Sequence, residues 1–244
     1  MIENSRIAPE KRMLRLGLVA TMVAATAIAT AAVQHTLATP PLVGDTYVYR
    51  VINGYNNETG SQVSYRVDRT EADRIVMSVT TDRPGIQLTT TEIYTPDGKW
   101  LRHPVINRDQ PVDYEFSPAY PSYEFPLEPG KQWSTRVDAV NTATGARRSV
   151  RVDAKAVGNE RIRVPAGEFD TIKIIRSVYA GDAEFSLHLT ETNIAETEWF
   201  APALGRSVRF ARKSSYLDLN AGPRVREVRG DWDIYELVSA PPAR

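Results

Sequence analysis

From residue 46 onward, apolar side chains recur at every second position, and that period decides the fold class. Tyr47, Tyr49 and Val51 share one face of a segment, as do Val63, Tyr65 and Val67, and then Ile75, Met77 and Val79. The alternation returns in Trp133, Val137 and Ala139, in Val150, Val152 and Ala154, in Ile172, Ile174 and Val178, and in Phe185, Leu187 and Leu189. The opposite faces carry Arg136, Asp138, Arg151, Asp153, Lys155, Lys173, Ser186 and His188. A period of two is that of a half-buried strand, and no stretch after residue 33 carries a helical stripe. Turn chemistry falls between the runs: residues 53–60, Arg83-Pro84-Gly85, Pro96-Asp97-Gly98, Thr144-Gly145 and Pro165-Ala166-Gly167. The expectation is an all-β chain, an antiparallel meander forming a strongly curved sheet.

Two stretches of this meander resemble each other. Gly44-Asp45-Thr46-Tyr47 opens one and Gly130-Lys131-Gln132-Trp133 the other, followed at matching distance by Arg50-Val51 and Arg136-Val137. Each reaches a Thr-Gly turn (Thr59-Gly60, Thr144-Gly145) and a return strand with Arg66-Val67 or Arg151-Val152. Further on, Thr91-Glu92-Ile93-Tyr94 parallels Thr197-Glu198-Trp199-Phe200. This order points to an internal duplication, with halves at 44–103 and 130–216. Residues 104–129 contain Pro104, Pro111, Pro118, Pro121, Pro126 and Pro129, which suits a crossover between the halves. Residues 44–238 form the β-rich domain, 32–43 a linker and 239–244 a tail.

The first 31 residues read as a secretory signal. Arg6, Lys11, Arg12 and Arg15 precede an uncharged run, 16–33, and Ala29 and Ala31 place small side chains where a signal peptidase needs them. Cleavage after Ala31 gives an exported, periplasmic or extracellular chain with no stable membrane span; an uncleaved N-terminal anchor is the alternative. Cleavage removes four basic and two acidic residues and leaves 26 basic residues against 28 acidic ones. That balance does not suit nucleic-acid binding, which needs a basic excess on one face.

Little points to catalysis. The chain has no cysteine, which removes thiolate nucleophiles and Cys-ligated metals. His35, His103 and His188 do not stand at ligand spacing, and a solvated histidine is the expected state of His103 and His188. No GxSxG, Walker loop or GxGxxG occurs, so no cofactor is expected.

Val164-Pro165-Ala166-Gly167-Glu168-Phe169-Asp170, followed by Glu198-Trp199-Phe200-Ala201-Pro202-Ala203-Leu204-Gly205-Arg206, resembles a motif pair of bacterial envelope proteins, a TapB-like family of unknown function. Phe125-Pro126-Leu127-Glu128-Pro129-Gly130-Lys131-Gln132-Trp133 is similar to their upstream motif. The resemblance implies a half-barrel similar to that of the LolA and LolB lipoprotein carriers, and brings no catalytic residues. In this pattern Gly167 and Gly205 free the backbone at turns, Pro165 and Pro202 stop pairing, and Trp133, Phe169 and Trp199 fill the core.

The function expected from these features is that of an exported, non-catalytic envelope protein. Its curved sheet would hold an apolar ligand, a lipid or acyl chain, or a protein partner, on a face formed by Tyr47, Tyr49, Tyr65, Val67, Phe185 and Leu187. A second candidate surface is the basic cluster Arg206, Arg209, Arg212, Lys213, Arg224 and Arg226, suited to anionic headgroups or an acidic partner. The alternatives are an envelope hydrolase with an unrecognised site and an outer-membrane β-barrel.

Overall fold

The computed structural model describes residues 41–106, 111–181, 192–218 and 226–242, all within the second of the two units into which the chain divides, Gln34–Arg244. The signal segment, His35, Phe185, Leu187, His188 and Arg224 lie outside the described residues. The strands, in order, are β1 (Thr46–Asn53), β2 (Thr59–Thr70), β3 (Ile75–Arg83), β4 (Ile86–Tyr94), β5 (Trp100–Ile106) and β6 (Pro111–Tyr120), then β7 (Gln132–Asn141), β8 (Arg147–Val164), β9 (Gly167–Ala180), β10 (Thr192–Ala201), β11 (Arg206–Asp218) and β12 (Arg226–Ser239).

The expected meander is the observed one, and its curvature continues past a half-barrel to closure. Each strand pairs antiparallel with its sequence neighbours, and β12 returns to β1 through six residue pairs, from Val48 with Ser239 to Asn53 with Asp233. The circuit is complete but its pairing is uneven: β4 meets β5 only at Ile93 with Arg102 and Tyr94 with Trp100, and the tip of the β8–β9 hairpin beyond Lys155 and Ile172 has strand partners only within itself. Register shifts at Val51/Ile52, Val67/Arg69, Ala156/Gly158 and Trp199/Phe200 add the local bend that closure requires.

The alternating residues turn one face inward. Tyr47, Tyr49 and Val51 on β1, Ile75, Met77 and Val79 on β3, Val150, Val152 and Ala156 on β8, and Ile172, Ile174 and Val178 on β9 are all buried. Removing such side chains from water is worth about 25 cal/mol per Å² of apolar area. The outer wall carries charge instead: Arg66 pairs with Asp68 at 3.1 Å, Arg147 with Asp138 at 3.2 Å and Arg50 with Glu236 at 2.7 Å. An outer-membrane barrel needs an apolar, lipid-facing band at these outward positions, so the charged wall argues against that alternative.

The proline-bearing stretch differs from the expected crossover. Pro104, Pro111 and Pro118 lie within the hairpin of β5 and β6, where Pro104 pairs with Asp113 and Pro111 closes the last pair with Ile106. Among the described residues of this stretch, 121–131 are irregular, and they fold against the inner side of the wall. Tyr123, Phe125 and Leu127 pack with Ile172, Ile174 and Phe200, and Trp133 donates from Nε1 to the Pro121 carbonyl at 3.1 Å.

The two matching openings adopt matching geometry. Gly44 N donates to Val67 O and Gly130 N to Ala156 O, both at 2.8 Å; Val67 N donates to Asp45 O and Ala156 N to Lys131 O, both at 2.9 Å. At the other ends the expected Thr-Gly match fails: Gly145 follows the 142–144 turn with φ 72°, whereas Thr59 and Gly60 open β2, Thr59 opposite Ile52. The turns of the two envelope-type motifs hold Gly167 at φ 137° and Gly205 at φ 60°, a region that side chains with a Cβ seldom enter. An up-and-down topology places the 71–74, 95–99, 121–131, 164–167 and 201–205 connections at one end of the barrel, together with the start of β1 and the end of β12.

Candidate ligand-binding interior

Tyr47, Tyr49, Tyr65 and Val67 come together on the inward face with Met77, Val208 and Leu237, but Tyr47, Tyr49 and Val67 are buried core there rather than an open ligand face. What the sequence reading did not foresee is a guanidinium among them. Arg206 Nε donates to the Tyr49 hydroxyl at 3.2 Å, its Nη1 lies 3.3 Å from Met77 Sδ, and its Cζ stands 4.3 Å from the Tyr65 ring centroid and 5.1 Å from that of Tyr47. Tyr faces attract such a cation, and more strongly when water is excluded. Burial pushes the Tyr49 hydroxyl up to about 12, and Tyr49 donates to Ser207 O at 2.7 Å.

Beside this cage stands Glu92, buried on β4. Burial alone would raise its carboxyl, but His103 and the charge of Arg206 outweigh that and hold it below the ordinary carboxylate value of 4.5. His103 Nδ1 is 3.6 Å from Glu92 Oε2, and its ring stacks on Trp100 at a centroid distance of 3.8 Å. His103 is thus a packed, inward residue rather than the solvated one expected, because its strand phase matches that of buried Tyr114, its partner on β6. A carboxylate with a depressed folded pKa contributes stability above its unfolded value and loses that contribution as pH falls through the folded one. Glu92→Gln should therefore flatten the acid limb of the stability profile below about pH 4.5 relative to wild type, as urea unfolding across that range would show.

A second inward network joins β9 and β10 to the irregular segment. Arg176 Nε donates to Glu196 Oε2 at 3.0 Å, its Nη1 to the Ser122 carbonyl at 3.1 Å, and its Nη2 to Glu198. Glu198 also accepts from the hydroxyls of Tyr123 and Ser207. Arg176, Glu196 and Glu198 are all buried, and these carboxylates hold the Arg176 guanidinium protonated against the burial that opposes it. Arg212 Nε faces Glu196 from 3.9 Å. The inward charges are therefore answered by one another.

Between these networks stand four half-buried aromatic residues. Tyr65, Tyr94, Phe210 and Tyr235 lie on the inward phase of their strands, and burial raises the hydroxyls of Tyr65 and Tyr94, and that of Tyr235 to about 12. Tyr65, Tyr94 and Tyr235 pack against the buried clusters, and the Arg212 side chain is 27% exposed. Phe210 and Tyr235 lie side by side, 5.9 Å between ring centroids.

Other sequence candidates separate. Arg206, Arg209, Arg212 and Lys213 do not form one basic face, since alternation on β11 sends them to both sides. Arg206 and Arg212 turn inward, Arg209 Cζ lies 5.1 Å from the Trp199 ring centroid on the outer wall, and Lys213 Nζ lies 5.2 Å from that of Trp232. Arg226 is exposed opposite Asp218. Trp199 stands on the strand phase opposite Glu198 and Phe200, half-buried and packed against the edge of the first apolar cluster, with Nε1 donating to Glu160 Oε2 at 3.1 Å. Trp133 and Phe169 are half-buried against the apolar clusters, Pro165 is exposed in its turn and Pro202 half-buried in the next. Arg176, Glu92, Glu196 and Glu198 were missed, although each is a charge in the phase of its strand's apolar residues, which was the available signal.

No protein-family model matches the sequence, and no curated protein matches it. Two solved structures share its fold. One is a provisionally assigned lipoprotein from Parabacteroides distasonis, 15% identical, with a TM-score of 0.51 over 84% of this chain and 98% of that one. The other is a provisionally assigned exported protein with a YmcC-like fold from Bacteroides fragilis, 14% identical, with a TM-score of 0.51 over 85% of this chain and all of that one. At these identities the likeness is one of fold: the described residues form an all-β antiparallel barrel of twelve strands, similar to the YmcC-like fold.

Proposed function

We propose that this protein is an exported, non-catalytic envelope protein that takes an apolar ligand, a lipid or acyl chain, into its barrel. The observation that supports the reading is the set of half-buried aromatic residues on the inward phase of the barrel strands, Tyr65, Tyr94, Phe210 and Tyr235. Apolar pockets with a few placed polar groups are the usual form of small-molecule sites. The inward charges pair internally, which suits a ligand carried by its apolar part rather than by net charge. Export is supported by the basic start and uncharged run of residues 1–33, and by the motif resemblance to envelope proteins.

Titration with a fluorescent fatty acid tests this. Saturable binding at micromolar affinity, about −8 kcal/mol, is expected. Phe210→Ala and Tyr235→Ala should each weaken it by roughly tenfold, whereas Ile175→Asp on the exposed outer wall should leave it unchanged. Absence of saturable binding by the folded wild type would overturn the reading.

A further inference from the structure

The seam between β4 and β5 is the most sparsely paired junction of the wall. β4 pairs with β3 at every residue from Ile86 to Tyr94, without a register shift, yet meets β5 only at Ile93 with Arg102 and Tyr94 with Trp100. Residues of an antiparallel strand alternate between bonding one neighbour and bonding the other. Ile93, which meets Arg102, and Thr91, whose N–H is directed at the Asp113 carboxylate, have the parity that faces the seam. The two-residue turn Pro84-Gly85 gives the same parity, since the pair that closes it, Arg83 with Ile86, is a hydrogen-bonded one. Gln87 and Thr89 therefore turn their N–H and C=O groups to the seam, where no strand among the described residues pairs with them. The far side of the seam is incomplete as well: among the described residues, buried Asp113 Oδ1 and Arg102 Nε have no hydrogen-bond partner.

An open strand edge is ordinarily blunted by charge, proline or a bulge. The tip of the β8–β9 hairpin, another stretch with unpaired flanks, is guarded in this way: it carries Glu160, Arg161, Arg163, Glu168 and Asp170, and its register shifts between Ala156 and Gly158. β4 has no such guard. Ile86-Gln87-Leu88-Thr89-Thr90-Thr91 contains neither charge nor proline, with Ile86 54% exposed and Leu88 half-buried. A row of N–H and C=O groups at strand spacing is matched by another extended backbone, and a lipid has no such row. We propose that the β4 edge at this seam accepts an extended segment of a partner protein as an added strand, its backbone bonded to Gln87 and Thr89. Alternation fixes the chemistry of that segment: uncharged, with apolar residues at every second position beside Ile86 and Leu88, and small polar ones beside Gln87 and Thr89. The proposal stands independently of whether the interior takes a ligand.

The probe is a fluorescein-labelled peptide copying β3, Ile75 to Arg83, which has Ile75, Met77 and Val79 at alternate positions and already pairs antiparallel with β4. Before it is added to protein purified from its own envelope fraction, the amides of Gln87 and Thr89 should exchange hydrogen about tenfold faster, or more, than those of Leu88 and Thr90, which face β3. Saturable binding at micromolar peptide is expected, and at saturation the exchange of Gln87 and Thr89 should slow by roughly tenfold. Thr89→Pro removes a seam donor but spares the β3 ladder, and should weaken binding about tenfold, whereas Thr89→Ala keeps the N–H and should not. N-methylating alternate residues of the peptide should abolish binding in one phase and leave it in the other, as a backbone ladder requires. Equal protection of both parities in the free protein would overturn the proposal, since the chain's own residues would then fill the seam. So would absence of saturable binding, protection on a different strand, or indifference both to Thr89→Pro and to N-methylation. Protection of Gln87 and Thr89 that needs no peptide and rises with protein concentration would also overturn it, marking the edge as a contact between copies of the chain.

Discussion

Arg176→Ala should lower the free energy of unfolding by about 3–5 kcal/mol, the range for removing one partner of a buried ion pair. The loss comes less from the missing attraction than from what stays behind. Glu196 and Glu198 are both buried, and without the guanidinium two carboxylates face each other on the inner wall with Arg212 at 3.9 Å as the remaining cation beside Glu196. The same substitution releases the Ser122 carbonyl, so hydrogen exchange in 121–127 should accelerate with the fall in stability. A triple variant, Arg176→Met with Glu196→Gln and Glu198→Gln, removes the charges together and should recover much of the loss. Urea unfolding of the three proteins measures all of this, and a loss below about 1 kcal/mol for Arg176→Ala would show that water reaches the network.

Phe200→Ala should cost about 3–5 kcal/mol, as truncation of a buried aromatic does. The ring is 1% exposed and packs between the wall and the irregular segment, 4.7 Å from the Tyr123 centroid and 5.9 Å from that of Phe125. Its neighbour in sequence makes the control. Trp199 is the larger side chain, yet it lies half-buried on the opposite strand phase, so Trp199→Ala should cost less than Phe200→Ala in the same denaturant series. The reverse order would place β10 in the opposite phase.

That pair of residues shows where the sequence was legible and where it was not. Alternation identified the strands and the inward set Tyr47, Tyr49, Tyr65 and Val67, because a period of two is written locally. It missed the phase of Trp199 because β10 inverts the usual rule: its inward phase reads Thr192, Ile194, Glu196, Glu198 and Phe200, with two carboxylates inside and a tryptophan on the opposite phase. The carboxylates are tolerated there by Arg176, twenty or more residues away on β9, and a local pattern does not carry such a pairing. Closure has the same character. It joins Arg50 to Glu236 across 186 residues, and nothing in either strand announces the other. Proline signals were overread between 104 and 120, since a proline at a strand end or on an irregular pairing costs few ladder bonds. The basic cluster on β11 looked like one surface only while its residues were counted without regard to phase.

The interior reading makes one demand that can be met or refused in a single measurement. Native mass spectrometry of the protein purified from its own envelope fraction should show, beside the bare chain, a species heavier by one lipid or acyl chain, and the added mass should diminish in Phe210→Ala. A spectrum of bare chain alone, from protein that also fails to take up a fluorescent fatty acid, would contradict the account and leave the barrel's inner aromatic wall a matter of packing only.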